Sequence, residues 1–113
     1  MLTIEKLNEY GADTKEGLER CLNKEEFYFR LINKANNDDS FFNLKKELEE
    51  KNYDKAFIIA HSLKGVLGNL ALTPMYQIVF ELTELLREKR DIDYTSYIEK
   101  LLKKREELLL LIK

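Results

Sequence analysis

Apolar residues recur at helical spacing along most of this chain, and few of its residues would interrupt a helix. After Thr73 and Pro74, for example, apolar residues repeat with a period near 3.6, which is typical of a helix with one face on a core. That stripe consists of Met75, Ile78, Val79, Leu82, Leu85 and Leu86. The 113 residues include one proline and four glycines, too few for the many tight turns of a β-sandwich or barrel. The sequence therefore predicts an all-α protein.

Residues that favour helix N-termini separate the periodic segments. Asp13 and Asn23 each stand three residues before a glutamate, a spacing typical of a capping box, and Pro74 suits the first position of a helix. The predicted N-caps are Asp13, Asn23, Asp39 or Ser40, Thr73 and Asp93. Four substantial amphipathic helices with short connections predict an antiparallel four-helix bundle. One or two short additional helices would precede it, and residues 1–113 would form a single domain.

The composition of the chain argues against several functions. Its 19 basic and 21 acidic residues are spread along the chain and give a net charge of −2, whereas nucleic-acid binding requires a basic stripe. No apolar run has the length of a membrane span, and the N-terminus lacks the features of a signal peptide. The only cysteine, Cys21, cannot form an internal disulfide. We therefore expect a cytoplasmic protein in which Cys21 is a buried structural thiol.

The segment from Ala56 to Leu72 holds the only histidine and two of the four glycines. On a helical wheel, where each residue advances by about 100°, one arc is apolar and should face the core. That arc consists of Ala56, Ile59, Ala60, Leu63, Val66, Leu67 and Leu70. The opposite, solvent-facing side consists of Phe57, His61, Lys64, Gly65 and Gly68, bordered by Ile58 and Asn69. A glycine inside a helix costs roughly 0.5–1 kcal/mol relative to alanine, so two glycines beside a histidine indicate a docking surface.

The stretch AHSLKGVLGNLAL resembles the signature of histidine-containing phosphotransfer (HPt) domains of two-component phosphorelays. That signature is His-x-Leu-Lys-Gly, with a small residue three places after this glycine, followed by Asn, an apolar residue and usually Gly. The matching positions are His61, Leu63, Lys64, Gly65, Gly68, Asn69 and Leu70. Ala71 departs from the pattern, since the family often has glycine there. Thr83 departs from it too, because many members carry Gln or Glu near enough to hydrogen-bond the histidine, and whether Thr83 supports His61 stays open.

The resemblance implies that His61 is the phosphorylated residue. It would accept a phosphoryl group on an outward-facing Nε2 from an aspartate of one receiver domain, and pass it to an aspartate of another. Imidazole suits this task because one of its ring nitrogens is an unprotonated nucleophile near neutral pH. Lys64, one turn along the same face, would stabilise the phosphoryl oxygens.

The resemblance also implies which proteins this chain would bind and which groups of the reaction they would supply. Receiver domains of response regulators or hybrid histidine kinases would dock on Phe57, Ile58, Gly65, Gly68 and Asn69. The acidic residues and the magnesium ion of the reaction belong to the receiver in this family, so we expect no metal site and no cofactor here. The chain has no Gly-rich nucleotide loop, so it would be a phosphoryl carrier without kinase activity of its own. We also expect it to be a monomer.

Other functions stay open for the same residues. A lone surface histidine is often a solvated side chain without a role. An enzyme would use His61 as general base with Cys21 or a serine as nucleophile, but the sequence shows no carboxylate placed to orient the ring. A metal site would need more ligands than one histidine. The strongest alternative is a non-phosphorylated helical adaptor of the same fold, which only binds a signalling partner.

Overall fold

The computed structural model describes residues 1–113, which form seven helices and no strand. In chain order the helices are α1 (Ile4–Tyr10), α2 (Thr14–Arg20), α3 (Glu25–Asn36), α4 (Ser40–Glu49), α5 (Tyr53–Asn69), α6 (Thr73–Arg87) and α7 (Thr95–Ile112). The predicted all-α class is confirmed. None of these helices combines the length and the apolar character that crossing a membrane requires.

The last four helices form the antiparallel bundle that the sequence predicts. Each packs against its neighbour in the chain, most extensively α5 against α6. Three helices precede this bundle: α3 and the short α1 pack against α7, and the short α2 packs against α1 and α3. One hydrophobic cluster of 24 buried residues runs through the protein and includes Leu2, Leu7 and Cys21 from the N-terminal segment. The N-terminal segment and the bundle therefore share one core.

Aspartate side chains hold the first amides of three helices. In each pair the carboxylate accepts a hydrogen bond from a backbone N–H in the first turn, which satisfies a group that would otherwise lack a partner. The pairs are Asp13 with Glu16, Asp38 with Ser40, and Asp93 with Thr95. At α4 the carboxylate is thus that of Asp38, one residue before the predicted Asp39 or Ser40.

Two predicted N-caps are wrong: Asn23 belongs to the turn that follows α2, and Thr73 lies one residue inside α6. Asn23 has φ +57°, and its amide bonds the Leu18 carbonyl at the end of α2. Thr73 lies inside the first turn of α6, since Leu72 precedes that helix. The Leu72 amide donates to a carbonyl of α5, so the chain passes from α5 to α6 almost without a loop.

The core face of α5 follows the predicted arc except at its edge. Ala56, Ala60, Leu63 and Leu67 are buried between α4 and α6. Val66 was predicted to be buried, but its side chain is 41% exposed. It lies at the margin of the arc, over an open groove of about 320 Å³ between α5 and α3 that no helix covers.

Ala71, which departs from the signature around His61, has a backbone conformation that favours glycine. Its φ is +54°, in the left-handed region that residues with a Cβ rarely adopt. The Ala71 carbonyl accepts a hydrogen bond from the Asp13 amide, and the side chain is buried. The N-terminal segment thus holds this turn in place without a glycine.

Candidate functional site

His61 lies at the middle of α5 and is exposed to solvent. Its neighbours Ala60 and Leu63 are buried, with 0% and 3% of their surface exposed. Because these two side chains anchor the same helical turn in the core, the backbone that carries His61 cannot shift without opening the bundle. The structure therefore presents an exposed imidazole from a fixed position on the backbone.

The imidazole of His61 stacks on the ring of Phe57, one turn earlier in α5. The ring centroids are 5.8 Å apart, and the ring planes differ by 16°. Phe57 was predicted to face solvent, but it is half-buried and packs against the core. The reason is α6, which lies close to this side of α5. The Arg87 guanidinium of α6 stands 5.1 Å from the centre of the Phe57 ring.

Lys64, one turn after His61, also rests on an aromatic ring of α6. Its ammonium is 5.5 Å from the centre of the Phe80 ring. Arg87 in turn has its Nε 3.6 Å from a carboxylate oxygen of Glu84, with both side chains largely solvated. The site thus has two cations, Lys64 and Arg87, each held mainly by an aromatic surface. Sequence reasoning missed Arg87, because its place beside α5 follows from how α6 packs.

Thr83 does not support His61. It is fully buried, and its hydroxyl donates a 2.6 Å hydrogen bond to the Val79 carbonyl within α6. No side-chain hydrogen bond or ion pair of the protein includes a ring nitrogen of His61. Both nitrogens are therefore available to an outside partner.

The two glycines of α5 differ in their surroundings. A Cβ at Gly65 would meet no atom within 4 Å, so the surface beside His61 is open there. A Cβ at Gly68 would lie 3.0 Å from Cε1 of Tyr76, so α6 partly covers this position. Gly68 was predicted to lie on the solvent-facing side, but α6 leaves it only partly exposed. The Gly68 carbonyl also accepts a hydrogen bond from the Arg20 side chain of α2.

Two grooves border the exposed face of α5. A polar groove of about 560 Å³ runs past Gly65, Gly68 and Asn69, with the charged side chains of α2 on its far side. On the other side of α5 lies the groove beneath Val66, where apolar side chains of α3 and α5 alternate with polar ones such as Lys34 and Ser62. Ile58, with 66% of its surface exposed, lies nearer the start of α5. The exposed face that carries His61 therefore lies between two grooves.

Comparison with known proteins identifies the family. A family model described as Hpt domain matches residues 34–110, more than half of the chain and all of the bundle helices that carry this site. No curated protein and no solved structure matches the chain. Members of the Hpt family carry phosphoryl groups in two-component systems and interact with receiver and kinase partners. The protein is an all-helical bundle in which α5 carries the His61 segment, and the chain belongs to the Hpt domain family.

Proposed function

We propose that this protein relays a phosphoryl group between aspartates of receiver domains through His61. One observation carries the proposal: the only histidine is exposed at the middle of α5, beside a glycine where a Cβ would touch nothing. A phosphoryl donor on another protein must approach the imidazole within bonding reach, and side chains around it would prevent that. The open surface at Gly65 allows this approach.

The transfer needs one nucleophile from this chain, the His61 imidazole. The lone pair of Nε2 attacks phosphorus of the aspartyl phosphate, the N–P bond forms, and the P–O bond to the aspartate breaks. The aspartate leaves as a carboxylate, and the ring keeps its proton on Nδ1. Transfer to the next receiver is the same step in reverse. Phosphoryl transfer depends on position and charge compensation, which the receiver and the two cations of this site would supply together.

Lys64 and Arg87 are suited to stabilise the phosphoryl oxygens, and Lys64 has this role in the proposal. A cation on an exposed aromatic ring gains about 0.5–1 kcal/mol. A hydrogen bond to a charged group contributes about 1.5–3 kcal/mol, so moving from the ring to a phosphoryl oxygen is favourable. The side chains of both cations can reach a phosphoryl group on the His61 imidazole, because Lys64 is one turn from His61 and Arg87 lies over the adjacent Phe57.

Receiver domains would dock over the exposed face that carries His61. Ile58 and Asn69 mark the ends of the exposed face, and Gly65 leaves it open between them. Gly68 and Phe57, which are both half-buried, lie at its margin rather than on the surface that a receiver would contact. The protein acts as a monomeric carrier and has no kinase activity of its own in this proposal. We further propose that residues 1–113 act as one domain, since the N-terminal helices share the core of the bundle. Cys21 is free and buried, which fits the reducing cytoplasm expected from the sequence.

The test is transfer from phosphorylated receiver domains. A panel of receivers, each labelled with radioactive phosphate in the presence of magnesium, is incubated with the protein and with His61→Gln. We expect an acid-labile label on the parent and none on the variant. Label on the variant would show that another residue is the acceptor. If a receiver binds the parent protein but transfers no label to it, the adaptor alternative is favoured.

A further inference from the structure

The orientation of the His61 ring is not set by a hydrogen bond. Thr83, which occupies the position from which many relatives would support the histidine, is buried and bonded to Val79. The imidazole instead stacks on the ring of Phe57, with the ring centroids 5.8 Å apart and the ring planes 16° apart. Offset stacking at this separation is a favoured arrangement of aromatic rings.

We propose that Phe57 is a positioning residue, whose ring holds the His61 imidazole in the orientation that presents its outer nitrogen to the phosphoryl donor. This inference rests on the proposed function of His61. An exposed histidine on a helix otherwise samples several χ1 and χ2 combinations, and only some of them point Nε2 outward. A ring that stabilises one combination raises the fraction of molecules ready to react.

Phe57 can hold another ring because it is itself held. It is half-buried and packs against the hydrophobic core, and the Arg87 guanidinium lies 5.1 Å from its ring centre. It therefore differs from Ile58, which is two-thirds exposed and has no such support. This geometry assigns Phe57 to the orientation of His61 rather than to direct contact with a docked receiver.

The experiment measures phosphorylation of His61 by phosphoramidate, a small donor that needs no docking surface. The P–N bond of the donor breaks, a P–N bond to the imidazole forms, and ammonia leaves. We compare the parent with Phe57→Leu, which keeps an apolar side chain, and with Phe57→Tyr, which keeps the ring. Phe42→Leu is the matched control, because Phe42 is an exposed aromatic residue of α4 that contacts Arg105 and lies outside the site.

We expect Phe57→Leu to slow phosphorylation about threefold to tenfold, the range that corresponds to one aromatic pair. Phe57→Tyr and Phe42→Leu should react at the parent rate. The same factor should appear with a receiver as donor, since orientation affects both reactions. A parent rate for Phe57→Leu would overturn the proposal. So would a loss confined to the receiver reaction, which would make Phe57 a docking contact.

Proton NMR of the parent protein gives a second readout that does not depend on a variant. We expect nuclear Overhauser effects between the Phe57 and His61 ring protons, and His61 ring resonances displaced by the neighbouring aromatic ring. Their absence would overturn the proposal even if Phe57→Leu failed to fold. If no receiver phosphorylates the parent while phosphoramidate does, the proposed relay fails, and the small-donor rates still decide the role of Phe57.

Discussion

Substitutions at Gly65 should separate the stability of α5 from its access to a partner. A glycine within a helix costs roughly 0.5–1 kcal/mol relative to alanine, and a Cβ at Gly65 would meet no atom within 4 Å. Gly65→Ala should therefore raise the free energy of unfolding by nearly this full amount. For a chain of this size the increase corresponds to a melting temperature higher by roughly 2–6 °C.

Larger side chains at Gly65 should also be tolerated by the fold, since the position is open. Gly65→Gln places a side chain one turn from His61 on the same face, where it should hold a receiver away. We expect transfer from a phosphorylated receiver to fall in the order Gly, Ala, Gln. Phosphorylation by phosphoramidate, which is small, should change little. For each variant the assay measures the melting temperature by thermal denaturation, the rate of transfer from the receiver, and the rate of phosphorylation by phosphoramidate.

Gly68→Ala is the matched control within the same helix. Its Cβ would lie 3.0 Å from the Tyr76 ring, so the gain in helix propensity should be offset by displacement of that ring. We expect no increase in melting temperature there. If Gly65→Gln transfers from the receiver at the parent rate, access is not the reason for the glycine. If it unfolds, Gly65 packs against the protein and the reasoning is refuted.

Further predictions concern the site and the end of α5. His61→Gln should abolish acid-labile phosphorylation and change stability by less than about 1 kcal/mol, because the side chain is exposed; label retained or a lost fold would contradict this. Lys64→Ala and Arg87→Ala should each slow transfer or shorten the phosphohistidine lifetime several-fold. Rates and lifetimes equal to those of the parent would show that the two residues are solvated cations without a role in transfer. Tyr28→Phe should cost about 1–3 kcal/mol of unfolding free energy in denaturant titrations, since the buried hydroxyl donates a 2.8 Å hydrogen bond to the Leu70 carbonyl. Burial raises the pKa of Tyr28 from 10.0 to about 12, so its contribution to the unfolding free energy should be complete below pH 10 and be lost as pH rises through 12. This loss should be smaller in Tyr28→Phe. An equal loss in the two proteins would show that Tyr28 does not cause it.

The helices and the family were predictable from the sequence, because both depend on residues that are close together in the chain. The 3.6-residue period of apolar residues predicts α6 and the buried face of α5 directly. Asp13 begins α2 as predicted, since the cap bond spans only three residues. The signature around His61 is likewise local, and it led to the family that the comparison then identified.

The surroundings of His61 were decided only by the tertiary structure. A helical wheel describes one helix, whereas Phe57 is half-buried, and Gly68 is covered, because α6 lies beside them. Val66 is exposed because no helix covers the groove next to it. Arg87 is 26 residues from His61 in the chain, and its place over Phe57 depends on the rotation and axial position of α6 against α5. This rotation and axial position result from the packing of many side chains between the two helices, so no short sequence pattern predicts them.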